Sequence, residues 1–233
     1  RSDVLLVAVG RRPNIEEICL DAANIHYTDK GIEVDSYARV LEVVDKKRSK
    51  KHIWAVGDVT GKNQFTHAAE NQARTVLFSL LLPWKRKLSK QFIPRTTFTD
   101  PEVASFGYLE KEAAVKFGQN KIAVYHVPLT ENDRAKTQER MEGFVKIITK
   151  KWSGKIIGAT IVAPRAGEMI SELTLAANEK IPLRKIASLI HPYPTYNLAI
   201  RKVADFWLLQ TIIPKIKNIQ LKAFLPAILL LLL

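Results

Sequence analysis

The segment Ile53-Trp54-Ala55-Val56-Gly57-Asp58 constrains this chain more than any other. Four consecutive apolar residues predict a buried strand. Gly57 allows close backbone approach, and Asp58 places a carboxylate at the strand's C-terminal end. In an open α/β sheet, ligands sit at that edge. A carboxylate there accepts hydrogen bonds from ligand hydroxyls without needing a countercharge.

The pattern on either side predicts two kinds of layer. Val4 to Val9 reads as a buried strand, and Gly10-Arg11-Arg12-Pro13-Asn14 as the turn after it. A short helix is expected over Ile15 to Ala23, and strands over Gly31 to Asp35 and Val40 to Val44. Lys46 to Lys51 reads as a basic loop. Thr66 is the expected N-cap of a helix running from His67 to Leu81, because no Gly or Pro interrupts it before Pro83. Pro83 to Gln91 reads as a linker, with the domain boundary near Phe92. Beyond it, strands are expected at 96–98, 104–107 and 122–127, with a hairpin of 144–149 and 155–162 around Trp152-Ser153-Gly154. Helices are expected over Leu109 to Phe117, closed by Gly118, and over Gly167 to Lys180, Leu183 to Leu189 and Tyr196 to about Gln210. Strands followed by helices argue an α+β layer.

Charge and cysteine usage narrow the function classes. The 233 residues carry a net charge of +13, while 47% are apolar, which is enough for a real core. Aromatic and basic residues do not interleave as on a stacking platform, so the basic runs read as solvated loops and not as a nucleic-acid surface. Cys19 is the single cysteine, which excludes an intrachain disulfide and a thiolate metal cluster. Its apolar neighbours Ile15, Ile18 and Leu20 predict a place in the core. The chain opens directly on a strand, without an initiator Met, and a lone strand cannot bury both faces. It is therefore expected to be the C-terminal fragment of a longer protein.

Three segments in order, Val4 to Asn14, Ile53 to Asp58 and His191-Pro192-Tyr193-Pro194-Thr195, resemble the pyridine nucleotide-disulfide oxidoreductases. This is the flavoenzyme family of dihydrolipoamide dehydrogenase, glutathione reductase and mercuric reductase, and the mercuric reductase-like branch is the most similar. The resemblance runs from about Ser2 to about Asp205. It implies an α/β fragment of an FAD-binding domain over 1–91, followed by an α+β dimerisation domain over 92–210 that builds a homodimer. The implied cofactors are FAD and NADH or NADPH. By resemblance, Asp58 binds the ribityl chain of FAD beside Gly57, and Gly10 lies close to the flavin. Backbone amides near Thr66 and His67 face its pyrimidine ring, where a helix N-terminus stabilises negative charge. Arg11 and Arg12 read equally as contacts to cofactor phosphates and as surface charges.

The same resemblance shows a departure. The family's disulfide reductases carry His-x-His-Pro with a Glu several residues on, and the second His is the acid/base. Here those positions hold Tyr193 and Leu198. A tyrosine with a reference pKa of about 10 is a poor base near neutrality. His191 occupies the first, structural position and Tyr193 lines the pocket, so these two are the candidate catalytic residues. No metal site is expected. The acceptor is left open among a small molecule, a metal ion, a quinone and a protein. Tyr193-Pro194 is a candidate cis peptide.

Residues 211–233 form an apolar tail that ends in an uncharged run from Ala223 to Leu233 behind Lys215, Lys217 and Lys222. Eleven residues fall short of the roughly 20 that span a bilayer. The tail reads as a truncated membrane segment or as the end of an interface helix. A cytoplasmic enzyme, membrane-associated through its C-terminus, is the expectation. The alternatives are a non-catalytic dimerisation module and a membrane-anchored electron carrier.

Overall fold

The chain folds as two units, residues 1–90 and 91–233, and the computed structural model describes residues 2–215.

The first unit is built from short antiparallel ribbons. Strand β1 (Tyr27–Thr28) pairs with β2 (Gly31–Ile32), and β3 (Arg39–Leu41) pairs with β4 (Ser49–Trp54). Leu20, Ile25, Ile32, Val40 and Ala55 form its buried cluster. Hydrogen-bonded turns do much of the rest. Asp35 accepts from the backbone N–H groups of Tyr37 (2.8 Å) and Arg39 (3.0 Å), and from Arg39 Nε (2.8 Å). The carbonyl of Ala38 then receives Ala55 N–H at 3.0 Å, so this turn sets the path of the chain just before Gly57. A 3-10 turn (Gly57–Thr60) leads to helix α1 (Thr66–Leu81).

Several expectations fail in this unit. Val4 to Val9 is not a buried strand; Leu5 is 86% and Val9 94% exposed. Among the described residues no strand lies beside it, so its backbone has no ladder and its side chains no apolar surface. The helix over 15–23 is replaced by turns. Glu17, Cys19 and Asn24 take φ of 65°, 50° and 52°, a left-handed backbone that a helix interior cannot contain. That twist sends Leu20 inward and leaves Cys19 exposed, so Cys19 is not a core residue. β4 begins inside the basic run, pairs only with β3 and is at best half-buried, unlike the buried strand expected at 53–56. Thr66 is the first helical residue and not the cap. Phe65 holds the cap position with extended φ of −131° and no side-chain hydrogen bond.

The second unit is an antiparallel sheet of five strands: β5 (Arg95–Thr97), β6 (Glu102–Gly107), β7 (Ile122–Pro128), β8 (Phe144–Lys150) and β9 (Ile156–Ala163), in the order β5-β6-β9-β8-β7. Successive side chains point to opposite faces, and both faces are covered. On one, Ile148 and Ile157 meet Ala113 of helix α2 (Glu110–Phe117). On the other, Val145, Ile147 and Ile161 meet Met169, Ile170 and Leu173 of a later helix and Ile200 and Val203 of the last one. Each such aliphatic side chain contributes about 1.5–3 kcal/mol by leaving water.

Four more helices follow α2. The short α3 (Asp133–Thr137) has Asn132 as its cap, whose side chain accepts Ala135 N–H at 3.0 Å. Next come α4 (Ala166–Asn178), α5 (Leu183–Ala187) and α6 (Leu198–Trp207), which runs on through a π-helical turn, Leu208–Ile212. Tyr193-Pro194 is cis, as is Asp100-Pro101. Among the described residues no helix is long and apolar enough to cross a membrane. The run from Ala223 to Leu233 lies outside the described residues.

Candidate functional site

Two sites carry the residues singled out by sequence, one in each unit.

In the first unit, Gly57 has φ of +75°, and a Cβ there would stand 3.0 Å from the Cβ of Ala69 in α1. Its N–H donates to Gln72 Oε1 at 2.7 Å, and its carbonyl accepts Thr60 Oγ1 at 2.8 Å. The turn is thereby pinned to α1 and to itself. Asp58 follows, exposed, and its carboxylate accepts no hydrogen bond from the described residues. Its backbone carbonyl takes Gly61 N–H at 2.9 Å. The backbone at Asp58 is thus held by the turn, and its exposed carboxylate is able to accept from a donor-rich ligand.

Thr66 and His67 open α1, at the end of the helix that carries its partial positive charge. The His67 ring stacks on Phe65 with centroids 5.4 Å apart, which holds the helix start in shape. Gly10 has φ of +135° with no atom within 4 Å of a Cβ built on it, so open space surrounds it. Arg11 Nη1 reaches the carbonyl of Gln64 at 3.5 Å, while Arg12 pairs with Glu16 at 3.3 Å.

Two glycines support this turn that were not singled out for it. A Cβ on Gly61 would fall 1.4 Å from the carbonyl oxygen of Lys30, and one on Gly31 would fall 2.6 Å from the backbone of Thr60. The β1–β2 turn rests directly on the Gly57–Thr60 turn, and only glycine permits that approach. Their signal in the sequence is the pairing of Lys30-Gly31 with Thr60-Gly61, visible only once the two turns are known to touch.

In the second unit, an open cleft of about 640 Å³ is lined by Arg134, Arg165, Glu172, His191, Pro194 and Asn197, among others. His191 is buried. Its Nε2 lies 3.0 Å from Glu172 Oε1, and its Nδ1 lies 3.2 Å from the carbonyl of Leu189. The other oxygen of Glu172 accepts from Asn197 Nδ2 at 2.8 Å. Asn132 Nδ2 donates to the carbonyls of Thr195 (3.1 Å) and Tyr196 (3.3 Å). The loop carrying Tyr193 is thus tied at one side to α4 and at the other to the cap of α3. Contrary to expectation Tyr193 does not line that cleft: it is 72% exposed, its hydroxyl donates to Asp133 at 3.3 Å, and it borders a separate, smaller hollow with Asp133 and Leu198. Leu198 offers no polar atom beside it. Glu172 and Asp133 escaped the sequence reading, although Glu172 is an acid set among the apolar positions Met169, Ile170 and Leu173 of α4.

Both units are similar to known proteins. The family model described as pyridine nucleotide-disulphide oxidoreductase matches residues 1–73, and the model of that family's dimerisation domain matches residues 93–204. A dihydrolipoyl dehydrogenase of Corynebacterium glutamicum is 34% identical over 204 residues, which cover 87% of this chain and 42% of that protein. A mercuric reductase of Shigella flexneri is 33% identical over 209 residues, covering 88% and 35%. The two stand at the same level, so identity does not favour the mercuric reductase-like branch. Among solved structures, the HOCl-induced flavoprotein disulfide reductase RclA of Escherichia coli, in its Cu(II) complex, superposes with a TM-score of 0.78 at 25% identity, over 88% of this chain and 44% of that one. LpdA of Mycobacterium tuberculosis gives 0.72 at 28% identity, over 83% and 40%. The chain spans about two fifths of the length of the dihydrolipoyl dehydrogenases it matches. FAD and NAD(P)H are the cofactors of the matched family.

Proposed function

Because the chain belongs to the pyridine nucleotide-disulphide oxidoreductase family, we propose that it is the C-terminal part of an FAD-dependent oxidoreductase taking hydride from NADH or NADPH. In this reading residues 1–91 complete the flavin domain, 92–210 build a homodimer, and 211–233 form an apolar tail that attaches a cytoplasmic enzyme to a membrane. The observation that carries it is Asp58, whose backbone follows a pinned glycine turn and whose exposed carboxylate accepts no hydrogen bond from the described residues.

The residues present suit the flavin. Asp58 would accept hydrogen bonds from the ribityl hydroxyls, and Gly57 would let the backbone come close without a side chain intervening. The N–H groups of Thr66 and His67 present the positive end of α1, which favours negative charge on the ring they face. FAD, when bound, supplies the two-electron relay between nicotinamide and acceptor. Gly10 would border the same cofactor, while Arg11 and Arg12 suit its phosphates and a surface role equally, each having a protein partner here.

Tyr193 and His191 shape the acceptor side. The hydroxyl of Tyr193 is a donor to Asp133, and Leu198 cannot orient a base, so the proton relay of a disulfide reductase is missing. The His191–Glu172 contact acts as a brace for the loop and leaves Tyr193 as the polar and aromatic surface that meets the acceptor. A metal ion, a quinone or a protein suits such a site better than lipoamide or glutathione disulfide.

The test is Asp58→Ala in the full-length flavoenzyme. Loss of an acceptor for buried ligand hydroxyls costs about 1–3 kcal/mol, so FAD affinity falls by roughly one to two orders of magnitude. Unchanged flavin content and affinity would remove Asp58 from the site.

A further inference from the structure

Two tryptophans meet near the tip of the β8–β9 hairpin and lie in opposite environments. Trp207, at the end of α6, is 2% exposed. Its indole N–H donates to the carbonyl of Lys151 at 3.0 Å, and its ring lies against Gly154, where φ is +63° and a Cβ would come within 2.9 Å of it. The tip is therefore held from beneath. Trp152, the residue after Lys151, is 56% exposed.

Cations surround that exposed ring. Lys215 Nζ stands 4.4 Å from its centroid and Lys151 Nζ stands 5.6 Å away. Lys150 and Lys155 flank the tip, and the N–H of Lys151 donates to the carbonyl of Lys121 at 2.9 Å. None of this charge is offset by the segments that carry it. No Asp or Glu occurs between Gly143 and Gly167, between Gly118 and Thr130, or from Phe206 to the end of the sequence.

We propose that the β8–β9 tip, together with Lys215, docks on an anionic phospholipid surface. A single exposed apolar residue is ordinary on a soluble protein. An exposed indole with two lysines against its ring, on an anchored tip whose own segments carry no acid, is not, and it matches the headgroup layer. Tryptophan favours the boundary between hydrocarbon and water, and each lysine near an anionic leaflet adds attraction. One indole is not the succession of stacked aromatics that single-stranded nucleic acid uses. The sequence after Lys215 continues in the same sense, with Lys217, Lys222 and then the uncharged run from Ala223 to Leu233. The surface is independent of the flavin site, so it stands or falls separately from the enzymatic reading.

The test is co-flotation of the 233-residue chain with phosphatidylcholine vesicles and with mixed phosphatidylcholine–phosphatidylserine vesicles. Because the terminal apolar run also has affinity for lipid, the readout is the difference between variants. Binding is expected to favour the mixed vesicles and to weaken as salt rises. Lys151→Ala/Lys155→Ala should weaken it about fivefold per lysine, and Trp152→Ala by about tenfold. Lys46→Ala/Lys47→Ala, in the basic loop of the first unit, should leave it nearly unchanged. Four outcomes would overturn the proposal: no binding, equal binding to both vesicle types, equal binding of wild type and tip variants, or an equal loss in the loop variant. Capture of an RNA oligonucleotide through the same lysines, without vesicle binding, would assign the surface to nucleic acid and also overturn it.

Discussion

The two units solve burial in different ways. In the second, β8 and β9 run through the middle of a covered sheet, and Val145, Ile147, Ile156 and Ile161 have no exposed surface at all. In the first, the buried cluster is five residues, while Leu5, Leu6, Leu81 and Trp84 stand 61–86% exposed. The second unit is held by its core. The first is held by turns: Asp35 with Arg39, Gly31 against Thr60, Gly57 with Gln72. A unit of turns is well suited to presenting a carboxylate at a fixed point, and poorly suited to standing up to loss of a contact.

The largest effect follows from the cores. Ile161→Ala should cost the second unit about 2–5 kcal/mol, because its surroundings are too well packed to collapse into the gap. Leu20→Ala in the first unit should cost less, since its buried cluster has only five members and more room to collapse. Urea unfolding read from buried Trp207 and from Trp54 separately checks this. Equal losses would erase the distinction drawn between the units.

A middle-sized effect belongs to the brace of the Tyr193 loop. Glu172→Ala strips His191 and Asn197 of a half-buried acceptor, at about 1–3 kcal/mol. Thermal unfolding of the variant and the mobility of Tyr193 by NMR report it. An unchanged melting temperature would mean that α3 alone fixes the loop.

The smallest effect is acid sensitivity of the first unit. Burial acts to raise the Asp35 carboxyl, but hydrogen bonds from Arg39, from the N–H groups of Arg39 and Tyr37, and from Ser49 outweigh it and hold the group below its ordinary value. A carboxylate depressed in the folded state adds stability that is complete above its unfolded pKa of about 3.9 and fades as pH falls through the folded value. The first unit should therefore loosen in strong acid, and Asp35→Asn should flatten that limb of a pH–stability curve. A variant with the same acid limb as wild type would take Asp35 out of the account.

The same contrast explains what the sequence made legible. Strands of the second unit announce themselves because alternation, turn residues and a full complement of partners coincide. Phe144 to Lys150 and Ile156 to Ala163 fall within a residue or two of where their pattern puts them. Leucine-rich or valine-rich runs in the first unit carry the same local signal without the partners, so Val4 to Val9 reads as a strand and forms none. Cys19 sits in an apolar pattern but takes a left-handed backbone, which no side-chain pattern encodes. The Gly57-Asp58 turn is legible because glycine and acid close an apolar run, and the start of α1 is legible to within a residue because an unbroken stretch of helix formers begins there. Glu172 and the Gly31–Gly61 contact were not, because each depends on residues 19 or more positions away.

Hydrogen exchange on the full-length protein, with FAD bound and with the flavin stripped, bears most directly on the claim that the turn-built unit holds the cofactor while the core-built unit stands alone. Amides from Ala55 to Ala69 should slow on flavin binding, while those of β8 and β9 are slow in both states and do not change. Exchange at Ala55 to Ala69 that ignores the flavin, or protection that appears only in the second unit, would contradict it.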